Sequence, residues 1–334
     1  MESADRKAEI SSRSAFSVRK ILTMVVLGVV LYFAFAVFSD ARKIRESLRL
    51  YSWSTFAAAC GLAFGNYLLR FLKWEFYLAK LDVRGVPKGE SFLTFLSGFV
   101  LTITPGKVGE VFKSWVLSRT RGVPMPKTAP IVVAERITDV IGIAILISLG
   151  SASFKGGWIW AAIGLGLVAT LLVFLGSRSL SLGTIGMLES RGGFFARIAP
   201  KLRDAYESMA LLVKPSNLLL PTVLSIFAWA LECLALWIIL RGFGETVPVQ
   251  LATFFYATST LVGAIIPVPG GLGVTEGTLR EQLLTLGHVS APVATAAMIL
   301  VRFSTLWFAV LVGLVAFAII RRLHPSLLDE TDRS

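Results

Sequence analysis

The chain has 334 residues, of which 55% are hydrophobic and only 16% are charged. Soluble domains carry about 45–50% apolar and about 25% charged residues, so this composition excludes an ordinary water-soluble protein and requires lipid around many side chains. The formal net charge is +12, but the basic residues fall in short connections between apolar runs. That placement is typical of membrane-topology determinants, and nucleic acid is not an expected partner.

Cysteine, histidine and nucleotide chemistry are not expected. The two cysteines, Cys60 and Cys233, both lie in apolar runs and form no CxxC pair, and the two histidines, His288 and His324, stand far apart. The sequence also contains no Walker motif. It therefore predicts no catalytic residue, no metal site and no cofactor.

Six apolar stretches are long enough to cross a bilayer as helices, which requires about 17–25 residues. The first of them follows a basic tail and is predicted to remain uncleaved. They indicate one membrane domain at 21–320, between short tails at 1–20 and 321–334. In chain order the six stretches are 21–38, 51–72, 129–151, 157–176, 217–240 and 291–319.

Two further apolar stretches, 91–119 and 250–286, are broken near their centres by proline and glycine. These residues interrupt the hydrogen-bond ladder of a helix, and each half is too short to cross a bilayer. We therefore expect two re-entrant helical hairpins whose bends lie at membrane depth. The predicted helix breaks are Pro105, Gly106, Pro269, Gly270 and Gly271.

The distribution of basic residues predicts the orientation. If the six spans alternate, most basic loops fall on one side together with both tails, and the positive-inside rule makes that side the cytoplasm of a bacterial inner membrane. The basic loop 39–50 is the exception, because it falls on the outer side. Lys73 is assigned to a loop, and Arg70 to an interfacial anchor rather than a ligand. In the loop 177–216, apolar residues at helical spacing fit a helix on the membrane surface or one packed on the protein.

An internal repeat relates residues 51–151 to residues 217–319. Each unit consists of a span, a broken hairpin and a second span, and each second span begins with Ala-Pro and carries a central arginine, Arg136 or Arg302. The first hairpin would enter the membrane from the cytoplasm and the second from outside, so the repeat is predicted to be inverted. Inverted repeats with broken helices are typical of secondary transporters. The expected fold is an all-α polytopic membrane protein with about six spanning helices and two re-entrant helical hairpins.

Charged residues also lie inside the apolar stretches. A lone charge at the bilayer centre costs at least about 2.5–3.5 kcal/mol, so these side chains must face one another or a hydrated cavity. They could be structural ion pairs, such as Arg136 with Asp139 and Glu276 with Arg280. They could instead form a substrate site in which cations bind a phosphate. The candidate substrate-binding residues are Lys107, Glu110, Arg136, Asp139, Glu276, Arg280 and Arg302.

Three runs of sequence carry a family resemblance: TPGKVGE at 104–110, ERITD at 135–139 and PGGLGVTE at 269–276. With these runs the chain resembles the lysylphosphatidylglycerol synthase transmembrane-region family, also described as flippase-like membrane proteins. The resemblance implies a lipid-handling domain, and the best understood members move an anionic or aminoacylated phospholipid between leaflets. These 334 residues have no counterpart of the soluble aminoacyl-transferring domain of larger members, so the substrates of those members are not carried over.

The leading functional hypothesis is a lipid translocase rather than an enzyme. It would move a phospholipid or a polyprenyl-phosphate-linked head group between leaflets through a charged cavity between the hairpins. One alternative is an integral-membrane transferase or hydrolase acting on lipid phosphates. Another is an accessory subunit that docks a soluble lipid synthase. The expected partners are membrane lipid and, as candidates, a second copy of the chain and a soluble lipid-synthesis enzyme.

Overall fold

The computed structural model describes residues 41–104, 110–154, 156–176, 208–266 and 268–328. Over these ranges the chain is helical and contains no strand, as predicted. The helices are α1 (Ala41–Arg49), α2 (Trp53–Lys80), α3 (Lys88–Ser97), α4 (Phe112–Arg121), α5 (Met125–Thr128), α6 (Pro130–Ser151), α7 (Trp158–Gly176), α8 (Pro215–Gly242), α9 (Val249–Ile265), α10 (Val274–Thr285), α11 (Ala291–Arg302) and α12 (Phe308–Leu323). Short 3-10 helices occur at Gly98–Leu101, Pro269–Gly271 and Pro325–Leu328.

Among the described residues, three helices are long and apolar enough to cross a membrane: α2, α8 and the continuous helix Ala291–Leu323. In the last of these, a π-helical turn at Phe303–Trp307 joins α11 to α12. The predicted spans 129–151 and 157–176 also coincide with helices, namely α6 and α7. Proline occupies the first turn of α6, α8 and α11, where its missing N–H breaks no helical hydrogen bond. The predicted first span at 21–38 and both tail ends lie outside the described residues.

Helix α2 is longer than predicted, because it continues to Lys80 instead of ending near residue 72. The extension contains no glycine or proline, and it buries Trp74 and Tyr77 completely. Two sequence assignments are therefore wrong. Arg70 is not an interfacial anchor, since only 6% of its surface is exposed, and Lys73 is not in a loop, since it is fully buried.

Helices α3 and α4 form the first hairpin, and α9 and α10 form the second. Glu90, in the first turn of α3, makes an ion pair with Arg121 at the end of α4, so the open ends of the first hairpin lie together. In the second hairpin, Thr258 and Ser259 lie within hydrogen-bond distance of Gln282. The four helices have 10, 10, 17 and 12 residues, and none reaches the roughly 20 residues of a typical membrane span.

The break in the second hairpin lies where it was predicted. Gly270, Gly271 and Gly273 have φ angles of 62°, 68° and 83°, which glycine adopts without the steric cost that a side chain would add. The predicted break at Pro105 and Gly106 lies outside the described residues, between Thr104 and Glu110.

Ile103, just before the part of the first hairpin that is not described, meets the bend of the second hairpin inside the protein. A Cβ atom placed on Gly270 would lie 3.5 Å from the Cα atom of Ile103, so the two backbones approach closely. Ile103 belongs to a small apolar cluster with Leu306 and Val310, and Leu272 packs against it. The bends are therefore held together by apolar packing beside the polar groups described below.

The two halves of the chain interlock. Helices α2 and α8 pack antiparallel, with Asn66 Nδ2 donating to the carbonyl oxygen of Ala228 at 2.8 Å, midway along both helices. Gly150 of α6 packs against Phe254 of the second hairpin, and Gly313 of α12 packs against the backbone of the first. The last long helix of each half thus contacts the hairpin of the other half.

Two segments at the periphery pack on this assembly. Only the end of the predicted amphipathic region 177–216 is described, and there Leu212 is fully buried in a cluster with Tyr77 and Leu78. This part of the region is therefore packed on the protein. The basic loop predicted at 39–50 contains α1, whose Ile44 is buried while Arg45 and Arg49 are exposed.

Replacement of Gly313 tests the close contact between α12 and the first hairpin. A Cβ atom at this position would lie 2.7 Å from the backbone nitrogen of Val100. We expect Gly313→Ala to lower the free energy of unfolding by about 1–3 kcal/mol, measured by thermal unfolding in detergent. The matched control is Gly166→Ala in α7, where a Cβ atom would meet nothing within 4 Å. Equal stability of the two variants would contradict the packing described.

Candidate functional site

A cavity of about 250 Å³ lies between the two hairpin bends. Both halves of the chain contribute to its wall, including residues from both bends and from the π-helical turn. Five charged residues, five threonines and several aromatic residues line it: Arg70, Arg136, Asp139, Glu232 and Arg302; Thr102, Thr104, Thr260, Thr275 and Thr305; and Tyr67, Phe99, Trp229 and Tyr256. Charged and hydroxyl groups therefore enter a cavity whose wall is otherwise largely apolar.

Glu110 connects the first hairpin to two arginines of the cavity wall. Its carboxylate accepts from Arg70 at 3.3 Å and from Arg136 at 3.1 Å, and Arg136 also lies 3.0 Å from Asp139. Glu110, Arg70 and Asp139 are all buried. The Nε atoms of Arg70 and Arg136 are also buried, and neither has a hydrogen-bond acceptor among the described residues. These guanidinium groups therefore retain unused donor capacity beside the cavity.

Glu276 plays the corresponding part in the second hairpin. One carboxylate oxygen accepts from Arg302 Nε at 2.6 Å, and the other accepts from the backbone N–H of Gly273 at 2.7 Å. The second bond caps the N-terminus of α10, where an acidic residue is favoured. Arg302 also donates to the carbonyl oxygen of Gly270 at 2.7 Å, so it holds both sides of the second bend.

The two hairpins use the same ion-pair spacing. In each, a carboxylate near the start of the second helix pairs with an arginine 26 residues later, Glu110 with Arg136 and Glu276 with Arg302. The long helices α2 and α8 both have 28 residues, and Arg70 and Glu232 each lie seventeen residues after the first residue of their helix. The matched positions of the two hairpins thus carry the same residue types. The matched positions of α2 and α8 carry opposite charges.

Two buried lysines lie outside the cavity and pair with carboxylates of α6. Lys73 Nζ lies 2.7 Å from Asp139 and 2.8 Å from Ser225, and Lys113 Nζ lies 2.6 Å from Glu135. Neither lysine lines the cavity, and both are almost completely buried. Because Lys73 holds one oxygen of Asp139 while Arg136 contacts the other, Lys73 fixes the position of the Asp139 carboxylate.

Glu232, another lining residue of the cavity, has an aromatic neighbour. The hydroxyl of Tyr256 donates to its carboxylate at 2.7 Å, and both residues are buried. Trp229, one turn earlier on α8, lines the cavity beside them. This part of the wall offers a carboxylate oxygen among aromatic faces.

The structure assembles five of the seven predicted site residues: Glu110, Arg136, Asp139, Glu276 and Arg302. The predicted ion pair of Arg136 with Asp139 is confirmed. Lys107 lies outside the described residues.

Arg280 does not belong to the cavity wall. Its Nε atom donates to Thr295 at 3.0 Å, away from the lining residues. The predicted pairing of Glu276 with Arg280 is wrong, because Glu276 is directed toward the N-terminus of α10 by its bond to Gly273 and meets Arg302 there.

Sequence reasoning missed two basic residues of the site, Arg70 and Lys73. Their partners, Glu110 and Asp139, lie 40 and 66 residues away along the chain. The sequence did contain one local indication of their position. No glycine or proline occurs between Lys73 and Lys80, so the helix can continue to Lys80. That pattern places both basic residues inside a helix, where a charge needs a partner.

Comparisons with known proteins show the family to which this sequence is similar. The family described as the lysylphosphatidylglycerol synthase TM region matches residues 23–313. A UPF0104 membrane protein of Methanothermobacter thermautotrophicus is 24% identical over 317 residues, which cover 88% of this chain and 93% of that protein. A UPF0104 membrane protein of Methanocaldococcus jannaschii is 25% identical over 228 residues, 67% of this chain and 95% of that protein. These proteins are similar to this chain along most of their length.

Removal of Lys113 tests whether the buried pairs behind the cavity are structural. We expect Lys113→Met to cost about 3–5 kcal/mol in the free energy of unfolding, because it leaves the Glu135 charge buried without Lys113. The double variant Lys113→Met/Glu135→Leu should recover part of that loss, since the uncompensated charge is gone. The control is Lys88→Met, which breaks an exposed pair with Glu75. If Lys113→Met costs no more than Lys88→Met in thermal unfolding, the structural role is wrong.

Proposed function

Since the chain belongs to the lysylphosphatidylglycerol synthase transmembrane-region family, we propose that it is a lipid translocase that moves a phosphate-bearing lipid head group between the leaflets of the plasma membrane. The observation that carries the proposal is the cavity between the hairpin bends. Three arginines line it, and two of them, Arg70 and Arg136, have a buried Nε–H without an acceptor among the described residues. Arginine forks suit phosphate oxygens, and a desolvated site strengthens the interaction.

The proposal includes an inverted repeat of residues 51–151 and 217–319. Positions that match between these two units support it. The equal spacing of the two Glu–Arg pairs and the equal lengths of α2 and α8 relate the two halves of the chain. Asn66 and Ala228, which contact each other, each lie thirteen residues after the start of their helices. Contact between equivalent positions of antiparallel helices is expected where a two-fold axis passes. We place that axis in the membrane plane, with both hairpins re-entrant.

In this mechanism the hairpin bends seal the cavity alternately. The head group enters from one leaflet, while the acyl chains remain in lipid along apolar surface such as the exposed residues Leu219, Val223 and Phe227 of α8. The arginines replace the water that the phosphate loses, which lowers the cost of carrying charge through the hydrocarbon layer. Equivalent ion pairs behind each bend allow either hairpin to close.

The proposed orientation follows from the basic residues at one end of the helix bundle. The ends of α2, α4 and α12 and the starts of α3, α6 and α8 lie at this end. By the positive-inside rule this end faces the cytoplasm, with both termini on that side. Its basic residues are Lys80, Arg84, Lys88, Arg119, Arg121, Lys127, Lys214, Arg321 and Arg322.

The test is transport by arginine variants in liposomes. We expect Arg70→Gln and Arg136→Gln each to slow the movement of acyl-labelled phospholipid between leaflets by at least about tenfold, because each removes a charge-assisted phosphate contact. Chemical quenching of label in the outer leaflet measures the rate. Arg84→Gln is the matched control, because that side chain is 88% exposed. Thermal unfolding of each variant checks that it still folds.

Two results would contradict parts of this proposal. Folded Arg70→Gln and Arg136→Gln variants that transport as fast as Arg84→Gln would refute the assignment of the cavity. Recovery of a chemically altered lipid, with no movement between leaflets, would instead support the integral-membrane transferase.

A further inference from the structure

We infer that the segment after α12 is a proton-sensitive clasp: His324, when protonated, fastens the open end of the first hairpin to α12, and loss of that proton loosens it. The clasp consists of His324 and the short 3-10 helix Pro325–Leu328. Neither His324 nor Leu327 lines the cavity between the hairpins. The inference therefore goes beyond the proposed function, and only the effect of the clasp on transport rests on that function.

One carboxylate joins three helices at the clasp. Glu90, in the first turn of α3, accepts from Nε of Arg121 in the last turn of α4 at 2.9 Å. The same oxygen, Oε1, lies 2.9 Å from Nε2 of His324. His324 follows directly after the continuous helix Ala291–Leu323, which also carries the cavity arginine Arg302. The clasp thus connects the open end of the first hairpin to a helix that lines the cavity.

An apolar contact completes the clasp three residues after His324. Leu327 is only 2% exposed, and it belongs to a cluster that contains Ile320 of α12 and four buried residues of the first hairpin. The backbone N–H of Leu327 donates to the carbonyl oxygen of His324 at 3.0 Å, so the positions of these two residues are linked. The four hairpin residues are Val100, Leu101, Phe112 and Val116.

The strength of the pair between His324 and Glu90 depends on the proton of the imidazole. Histidine is the side chain whose ordinary pKa lies between pH 5 and 8, and its protonated ring donates a hydrogen bond about twice as strong as a neutral one. Burial raises the pKa of Glu90, but Arg121 and His324 outweigh that effect and lower the pKa overall, so Glu90 stays ionised where histidine titrates. His324 is therefore the member of the pair that changes charge.

The other charges near His324 are cationic. Arg121 faces it across Glu90, and Arg321 and Arg322 lie in the preceding turn of α12, where both are exposed. Repulsion between exposed charges is weakened by water and salt. The Glu90 side chain is in direct contact with His324 and is only 11% exposed, so its attraction is weakened less. The clasp is therefore strongest at low pH, and it weakens as pH rises through the range in which histidine titrates.

Fastening of this end restrains the first hairpin. In the proposed mechanism the hairpins seal the cavity alternately, so the first hairpin must shift against α12, with which it packs closely at Gly313. Protonation of His324 holds the hairpin in the position described, and a rise in pH releases it. In the proposed orientation the clasp lies on the cytoplasmic side, where it responds to the pH of the cytoplasm.

Amide hydrogen exchange of the full-length protein in detergent tests the clasp without requiring transport. We expect the protection factors of amides in α3 and α4, corrected for the intrinsic pH dependence of exchange, to be at least about threefold higher at about pH 5.5 than at about pH 7.5. His324→Gln keeps a neutral hydrogen-bond donor but gains no charge in this range, so the two protection factors should become nearly equal.

His288→Gln is the matched control. The sequence contains two histidines, and His288 is the exposed one, beyond the end of α10. This variant should keep the pH response of the wild-type protein. A pH response of α3 and α4 that is the same in His324→Gln as in the wild-type protein would overturn the inference.

Leu327→Ala tests the apolar part of the clasp with His324 left in place. We expect this variant to lose most of the pH response, because the segment that positions His324 loses its buried anchor. An unchanged response in folded Leu327→Ala would contradict the assignment of Pro325–Leu328 to the clasp.

Transport in liposomes separates the inference from the proposed function. With about pH 5.5 on both sides, His324→Gln should move acyl-labelled phospholipid at least about twofold faster than the wild-type protein, because its first hairpin is not fastened. If the protection factors respond to His324 but the protein moves no lipid at either pH, the translocase proposal fails and the clasp stands. If the protein moves lipid and the protection factors do not respond to His324, the clasp fails and translocation stands.

Discussion

The packing of the helices in this protein depends on the free-energy cost of burying charged side chains in an apolar interior. Glu110 and Glu276 are almost completely buried, and each is stable there because an arginine of a following helix reaches it. Arg136 and Arg302 must therefore lie next to the two hairpins, beside the carboxylates that they pair with. The meeting of Ile103 with Gly270, and the cavity beside it, follow from that requirement.

The same constraint accounts for the ion pairs beside both hairpins. Ion pairs with equal spacing give each hairpin the same anchor, as the alternating closure that we propose requires. A fully symmetric site would present the same charge from both walls. Arg70 and Glu232 lie at matched positions of α2 and α8 and both line the cavity, but they carry opposite charges. Lys73 and Lys113 keep carboxylates of α6 in place without entering the cavity.

Much of the fold could be predicted because its determinants are local. Long apolar runs predict spans, and the glycines at 270 and 271 predict a break that the positive φ angles confirm. Buried charges in a span predict that these side chains meet one another or a cavity, and Arg136 and Arg302 do both; their role in binding stays a prediction. The ion-pair partner of a buried charge is not determined by the local sequence. Glu276 pairs with Arg302 rather than with Arg280 on its own helix, because Glu276 also caps that helix. Arg70 was missed for the same reason, since its partner lies across the fold.

The most direct measurement of the central claim is an experimental structure of the full-length protein in a lipid nanodisc. The account predicts density for a lipid phosphate in the cavity, with its oxygens about 3 Å from the guanidinium nitrogens of Arg70 and Arg136 and its acyl chains in the surrounding lipid. A cavity that is filled only by acyl chains, or that is closed by direct pairing of Arg70 with Glu232, would contradict it. In that case the buried charges would hold helices together and would not form a head-group site.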